Sequence, residues 1–200
     1  MGTLLIRPVA DNYDKQRTYQ KNMKLLRRAI ENEFFLEAIV IEYAMMEDRL
    51  LSFLRHAGLL QKGSLKISDP DLLAFLTQLG LKVNNSGEIA LKNLSTKSAV
   101  IRKTLQWSTT AENVSDTFLR ALKDRYEGSV DIQEMLDVLS DMRAWCRYRD
   151  EVIHALLNKN TEAISEEISE YCRRGQRIAR RADAQVQSLK SYCRGNTTSR

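Results

Sequence analysis

The sequence predicts an all-α chain: a helical bundle with long antiparallel helices and a short irregular middle segment. Three observations carry this. Glycine and proline number only eight and two in 200 residues, so the strongest helix breakers are scarce. Hydrophobic residues make up 43% and charged residues 28%, enough apolar material for a core and enough charge to solvate its surface. Apolar residues also recur at steps of three, four or seven over long uninterrupted stretches, the spacing of one helix face.

Taken in order, Pro8 and the polar Asp11 and Asn12 introduce a first helix over Tyr13 to Glu31, with Met23, Leu25, Leu26 and Ile30 at helical spacing. It is expected to run on into the next segment. From Glu33 to Leu59, Phe35, Ile39, Met46, Leu50, Phe53 and Leu54 form a stripe wide enough for a central helix with more than one neighbour. Gly63 and Ser64 open a punctuated middle, where Ser68, Asp69 and Pro70 read as the capped start of a short helix to Leu79. Asn84, Asn85, Ser86 and Gly87 mark a turn, expected between two short extended pieces. Helical spacing returns from Thr96 to Trp107 and from Ala111 to Tyr126, with Ser108 and Thr109 as capping candidates between them. Asp131 and Glu134 begin a long helix in which Ile132, Met135, Leu139, Met142, Cys146 and Ile153 recur, ending near Asn158. Asn160 and Thr161 offer a cap for a last long helix to about Cys193, followed by a polar tail. No internal repeat or linker interrupts the chain. It reads as one domain with a helical core at 11–60 and 129–193, a middle insertion at 61–128 and a tail at 194–200.

The 31 basic residues outnumber the 26 acidic ones, for a net charge of +5, which permits a polyanionic partner. Cys146, Cys172 and Cys193 are odd in number and form no CxxC or Cys/His cluster, so a reducing cytoplasm, no structural zinc and no cofactor are expected. The most apolar stretch, Phe34 to Met46, is interrupted by Glu37 and Glu42, and Met1 to Ala10 lacks a signal-peptide pattern, so no membrane association is expected. No phosphate-binding glycine loop, nucleophile elbow or HExxH motif is present, which leaves P-loop NTPases, kinases, hydrolases of the Gly-x-Ser-x-Gly kind and zincins without support.

There are two histidines. His56 follows Arg55 near the end of the second helix, where a cation complements the helix dipole, and reads as a surface or cap residue. His154 sits in a richer setting. At about 100° per residue, Arg147, Asp150, His154 and Asn158 share a polar strip, while Arg149 falls within the neighbouring apolar stripe. An arginine there needs a carboxylate, a partner chain or an anionic ligand, because an unpaired buried charge is costly. One reading is structural: Arg149 pairs with Glu42 or Glu47 of the second helix, or snorkels along its own stem. The other is chemical, since a histidine that exchanges a proton near neutral pH and an arginine that stabilises a phosphorane are a minimal kit for cleaving RNA through its own 2′-hydroxyl. Glu42 and Glu47 are open to two roles as well, as accessory site residues or as neutralisers of Arg49, Arg55 or Arg149.

The run Arg149-Asp150-Glu151-Val152-Ile153-His154 resembles the Arg, four to six residues, His signature of the HEPN superfamily, in which a polar residue typically follows the Arg. The resemblance covers roughly Asp11 to Leu60 and Ser129 to Cys193. It implies a HEPN-like bundle that homodimerises to bring two motifs into one composite, metal-independent site. Arg149 would then bind the scissile phosphate, His154 would act as acid or base, and Asp150 would orient the pair. Arg149 and His154 point roughly 140° apart on an ideal helix, which agrees with a site shared by two copies. Arg147 is the reserve candidate for the motif arginine. The family also holds members that bind RNA or nucleotides without cutting, and bacterial members that act as toxins or in phage defence beside a nucleotidyltransferase-like antitoxin.

Charge along the last helix is polar. Glu162, Glu166, Glu167 and Glu170 crowd its start, whereas Tyr171 to Arg200 carries eight basic residues and only Asp183 as an acid. Arg173, Arg177, Arg180 and Arg181 along one side would suit an RNA backbone. The same distribution also simply complements the helix dipole. The sequence therefore points to a metal-independent endoribonuclease, or alternatively to a non-catalytic helical module that binds RNA, nucleotide or protein.

Overall fold

The computed structural model describes residues 12–61, 63–158 and 165–197. Among them seven helices and one two-stranded pair follow in the order α1 (Asn12–Glu31), α2 (Phe35–Ala57), β1 (Lys66–Ile67), α3 (Pro70–Gln78), β2 (Ile89–Ala90), α4 (Leu94–Thr110), α5 (Thr117–Ser129), α6 (Ile132–Asn158) and α7 (Ser165–Thr197). The chain is mostly helical, as the scarcity of breakers predicts. No described helix is long and apolar enough to cross a membrane.

α1 does not run on into α2. Glu33 takes a left-handed backbone at φ 60°, and the Asn32 side chain closes the end of α1 by donating to the Arg28 carbonyl at 2.7 Å. α2 is the central helix. It buries Phe35, Ile39, Met46, Leu50, Phe53 and Leu54, with Glu42 and Arg49 enclosed among them. Arg49 bridges three helices: its guanidinium donates to Asp183 of α7 at 2.7 Å and to Asp48, and it lies 4.5 Å over the Tyr19 ring of α1. α2 stops at Gly58, where φ 87° suits glycine. A side chain there would also strike Arg125 of α5, whose guanidinium donates to the last α2 carbonyl, Ala57, at 2.7 Å.

Asp69 caps α3 by accepting from the Leu72 amide at 2.9 Å, with Pro70 at the first helical position. The extended pieces expected on either side of the Asn84–Gly87 turn are placed differently. β1 lies before α3 and pairs antiparallel with β2, Ile67 opposite Ile89, so the pair brackets α3. α4 starts at Asn93, which accepts from the Thr96 amide at 2.9 Å, and it runs past Trp107 to Thr110. Ser108 and Thr109 are therefore helix residues rather than caps: their hydroxyls donate back to Leu105 and Gln106. α5 begins at Thr117, six residues later than the periodicity suggests, behind the cap Asp116, whose carboxylate accepts from the Leu119 amide at 2.8 Å. Asp131 caps α6 on the Glu134 amide at 3.0 Å. α7 extends beyond Cys193 to Thr197, and the expected cap residues Asn160 and Thr161 lie outside the described residues.

α2 and α7 make the most extensive helix pair, with α1 beside α2 and α6 beside α7. Residues 61–128 join the same continuous core: Phe75, Leu76, Ile101, Leu105, Leu122 and Tyr126 pack with Phe53, Met142 and Trp145. Tyr126 is fully enclosed, stacks on Phe53 at 5.8 Å, and shares a hydrogen bond with Thr104 at 3.0 Å. α4 and α6 consequently run past each other on the side of the bundle that carries Arg149.

Candidate functional site

The second half of α6 is positioned by a reciprocal lock onto α7. Trp145 stacks on Tyr171 with centroids 5.0 Å apart, its indole donates to the Tyr171 carbonyl at 3.3 Å, and the Tyr171 hydroxyl donates to the Trp145 carbonyl at 2.8 Å. One turn on, Arg149 emerges beside Tyr43 of α2. Its side chain is 28% exposed, its guanidinium lies 4.5 Å from the Tyr43 ring centroid, and its Nε and Nη2 both donate to Asp150, at 3.2 and 3.0 Å. Partial burial works against the charge, but the hydrogen bond and charge of Asp150 outweigh it, so the Arg149 pKa lies above the ordinary arginine value.

Neither proposed structural partner reaches Arg149. Glu47 accepts from the buried Lys97 of α4 at 2.7 Å. Glu42 is fully buried against Gly175 of α7, and burial pushes its pKa up to about 9. A carboxyl that keeps its proton offers no counter-charge. Arg49, for which either glutamate had been a candidate partner, uses Asp48 and Asp183 instead.

Arg143, Arg147, Asp150 and His154 are all exposed and follow one another along a solvent strip of α6. The side chain of Asn158, at the end of that strip, lies outside the described residues. Arg147 and Arg149 both line a groove of about 460 Å³ between α6 and α4, whose other walls include Tyr43, Ser95, Ser98, Arg102, Lys103, Arg143 and Cys146. Burial raises the Cys146 thiol pKa, which keeps it protonated. Arg102, Lys103 and Arg143 are absent from the sequence-based candidates. The signal for Arg143 was its place one turn before Arg147, whereas Arg102 and Lys103 lie in a segment whose neighbours the sequence does not reveal.

The arginines of α7 are distributed differently. Arg181 clamps α6, donating to Glu134 at 2.7 and 3.1 Å and to Asp141 at 2.6 Å, and the first of these partners does most to hold its pKa above the ordinary value. Arg177 donates to Glu170 at 2.6 Å. Arg173 and Arg180 are exposed, and Arg173 shares a shallow depression with Arg27, Glu31 and Glu33. None of the four lines the groove of Arg147 and Arg149. Among the described residues no group of three or more His, Cys, Asp or Glu side chains is arranged to hold a metal ion. Comparison with known proteins gives no match to a family model, to a curated protein or to a solved structure.

Proposed function

We propose that this chain is a HEPN-like, metal-independent endoribonuclease of the cytoplasm, acting as a homodimer in a toxin or phage-defence setting, with a nucleotidyltransferase-like protein as a candidate antitoxin. The observation that carries the reading is the state of Arg149. Its guanidinium is free of any α2 carboxylate, oriented by Asp150 and Tyr43, and presented at the edge of a basic groove. His154 is exposed five positions along the same helix.

In the proposed reaction, a His154 imidazole takes the proton of the RNA 2′-hydroxyl while that oxygen attacks the adjacent phosphorus. Arg149 stabilises the charge that builds on the phosphorane oxygens. The P–O5′ bond then breaks, and the departing 5′-oxygen receives a proton from an imidazolium, leaving a 2′,3′-cyclic phosphate. One chain contributes a single His154, so two copies supply the acceptor and the donor.

The test is cleavage of labelled single-stranded RNA in the presence of EDTA. His154→Ala and Arg149→Ala should each lose activity by about a hundredfold or more, the ordinary scale of an acid–base or charge-stabilising group. His154→Ala should melt at the wild-type temperature, because the side chain it removes is exposed. Equal cutting by wild type and His154→Ala would remove His154 from the mechanism. One feature favours a binding module instead: Tyr43 and Asp150 already occupy Arg149. That reading predicts RNA binding by wild type with no cleavage.

A further inference from the structure

We infer that the α4–α6 groove is a binding channel for the phosphate backbone of single-stranded RNA, with Arg102 and Lys103 of α4 and Arg143 of α6 as its contacts beyond Arg147 and Arg149. The inference deepens the proposed function and rests on it for the choice of RNA as the polyanion. The charge of the groove stands without it.

Five cationic side chains line this groove, and no acidic side chain does. Arg149 alone among them has an ion pair, with Asp150; Arg102, Lys103, Arg143 and Arg147 have none among the described residues. This contrasts with α7, where Arg174, Arg177 and Arg181 are each tied to a carboxylate. Four unneutralised cations facing a common concavity repel one another. Such an arrangement persists at little cost in water and becomes favourable when a polyanion enters and releases its counterions.

The shape narrows the ligand. About 460 Å³ between two helices is room for a narrow chain, too little for the side of a duplex, and the walls form a concave cleft edged by five cations rather than a flat apolar face suited to a lipid surface. Arg143 and Arg147 stand one helical turn apart, a rise of about 6 Å, close to the spacing of neighbouring phosphates in an extended strand. Ser95 and Ser98 add hydroxyl donors on the opposite wall. A strand bound by Arg102, Lys103 and Arg143 lies in the same groove as Arg149, the lining residue of α6 nearest His154 in the chain.

The experiment uses the full chain carrying His154→Ala, so that cleavage does not enter the readout, and a fluorescein-labelled oligouridylate of about 12 nucleotides, within the range single-strand sites cover. Anisotropy titrations between about 50 and 200 mM KCl give the affinity and its salt slope. Arg102→Ala/Lys103→Ala should weaken binding by about tenfold and Arg143→Ala by several-fold, with the slope falling by about 0.7 for each phosphate contact removed. Arg102→Gln/Lys103→Gln keeps much of the side-chain bulk and should show the same loss, separating charge from packing. Lys24→Ala/Arg28→Ala removes two exposed charges of α1 and should leave affinity nearly unchanged. Unaltered binding in the α4 and α6 variants overturns the inference, as does an equal loss in the α1 control or equally tight binding of a duplex of the same length. If otherwise wild-type protein cleaves RNA while the groove variants bind and cut normally, the channel fails and the nuclease stands. If wild type never cuts but the groove variants lose the oligonucleotide, the nuclease fails and the channel stands.

Discussion

Glu42 is a carboxyl sealed inside the bundle between Gly175, Trp145 and Cys172, and its chemistry follows from that enclosure. Neither oxygen makes a hydrogen bond of normal geometry; the Gln176 backbone amide pulls its pKa down, but burial dominates and lifts it from 4.5 to about 9. The folded chain thus keeps this proton across a range where the unfolded chain has lost it. Stability from this group is fully present below about pH 4.5 and is lost as pH rises toward 9. The limiting slope is about 1.4 kcal/mol per pH unit. Urea unfolding of wild type should therefore show a falling midpoint from pH 5 to pH 8, and Glu42→Gln should flatten that fall and be the more stable protein at pH 8. A wild-type slope no steeper than that of the variant would mean that water or a positive charge reaches the carboxyl. Glu42 also accounts for Arg149: the glutamate that the sequence offered as its partner is neutral and faces α7, so the arginine settles on Tyr43 and Asp150 instead.

Helix approach shows the same enclosure at the next scale. α7 packs tightly against α2 at Gly175, where a methyl group would collide with the Glu42 carboxyl and sit 2.8 Å from the Trp145 indole nitrogen. Gly175→Ala gains about 1 kcal/mol of helix propensity but overpacks the contact by about 1–3 kcal/mol, so a net loss of about 1 kcal/mol is expected. The loss should shrink in a Glu42→Ala background, which vacates the space, and a double-mutant cycle by chemical denaturation measures that coupling. A stabilising Gly175→Ala in otherwise wild-type protein would show that the helices do not meet here. How far elements were legible in the sequence depended on whether their ends carry local chemistry. Asp69 before Pro70 and Asp131 before Glu134 announce α3 and α6, because a cap acts within three residues. The break after α1 was hidden, since Glu33 adopts a left-handed backbone without being glycine or asparagine, and the apolar spacing passes straight through it. Periodicity alone starts α5 at Ala111, upstream of its true cap, Asp116, and Asn113 at φ 48° marks the loop between α4 and α5.

Whole-molecule organisation was the least legible, because a helical face shows that a residue is buried but not against what. The sequence separates residues 61–128 from the helical core, yet Phe53 of α2 stacks on Tyr126 of α5, Lys97 of α4 pairs with Glu47 of α2, and Arg125 of α5 closes the end of α2. Each contact joins positions far apart in the chain, so no local pattern announces it. The site suffered likewise: Arg149 and His154 were visible as a motif, while the α4 wall that completes the groove was not. These contacts predict that the described residues unfold as one cooperative unit, and the two tryptophans can test this because one belongs to the middle segment and the other to α6. Trp107 packs edge-on against Phe75, 4.9 Å away in the middle segment, whereas Trp145 is buried on α6 against Tyr171. With Trp145→Phe the fluorescence follows α4 alone, and with Trp107→Phe it follows α6 alone. In each single-tryptophan protein the fluorescence transition in urea should coincide with the loss of helical circular dichroism. Leu105→Ala, which empties a fully buried position on α4, should cost about 2–5 kcal/mol and lower both transitions together. An early Trp107 transition with the Trp145 transition left in place would instead make residues 61–128 a separately melting attachment. The groove wall carrying Arg102 and Lys103 would then come and go independently of Arg147 and Arg149, with which it shares the groove.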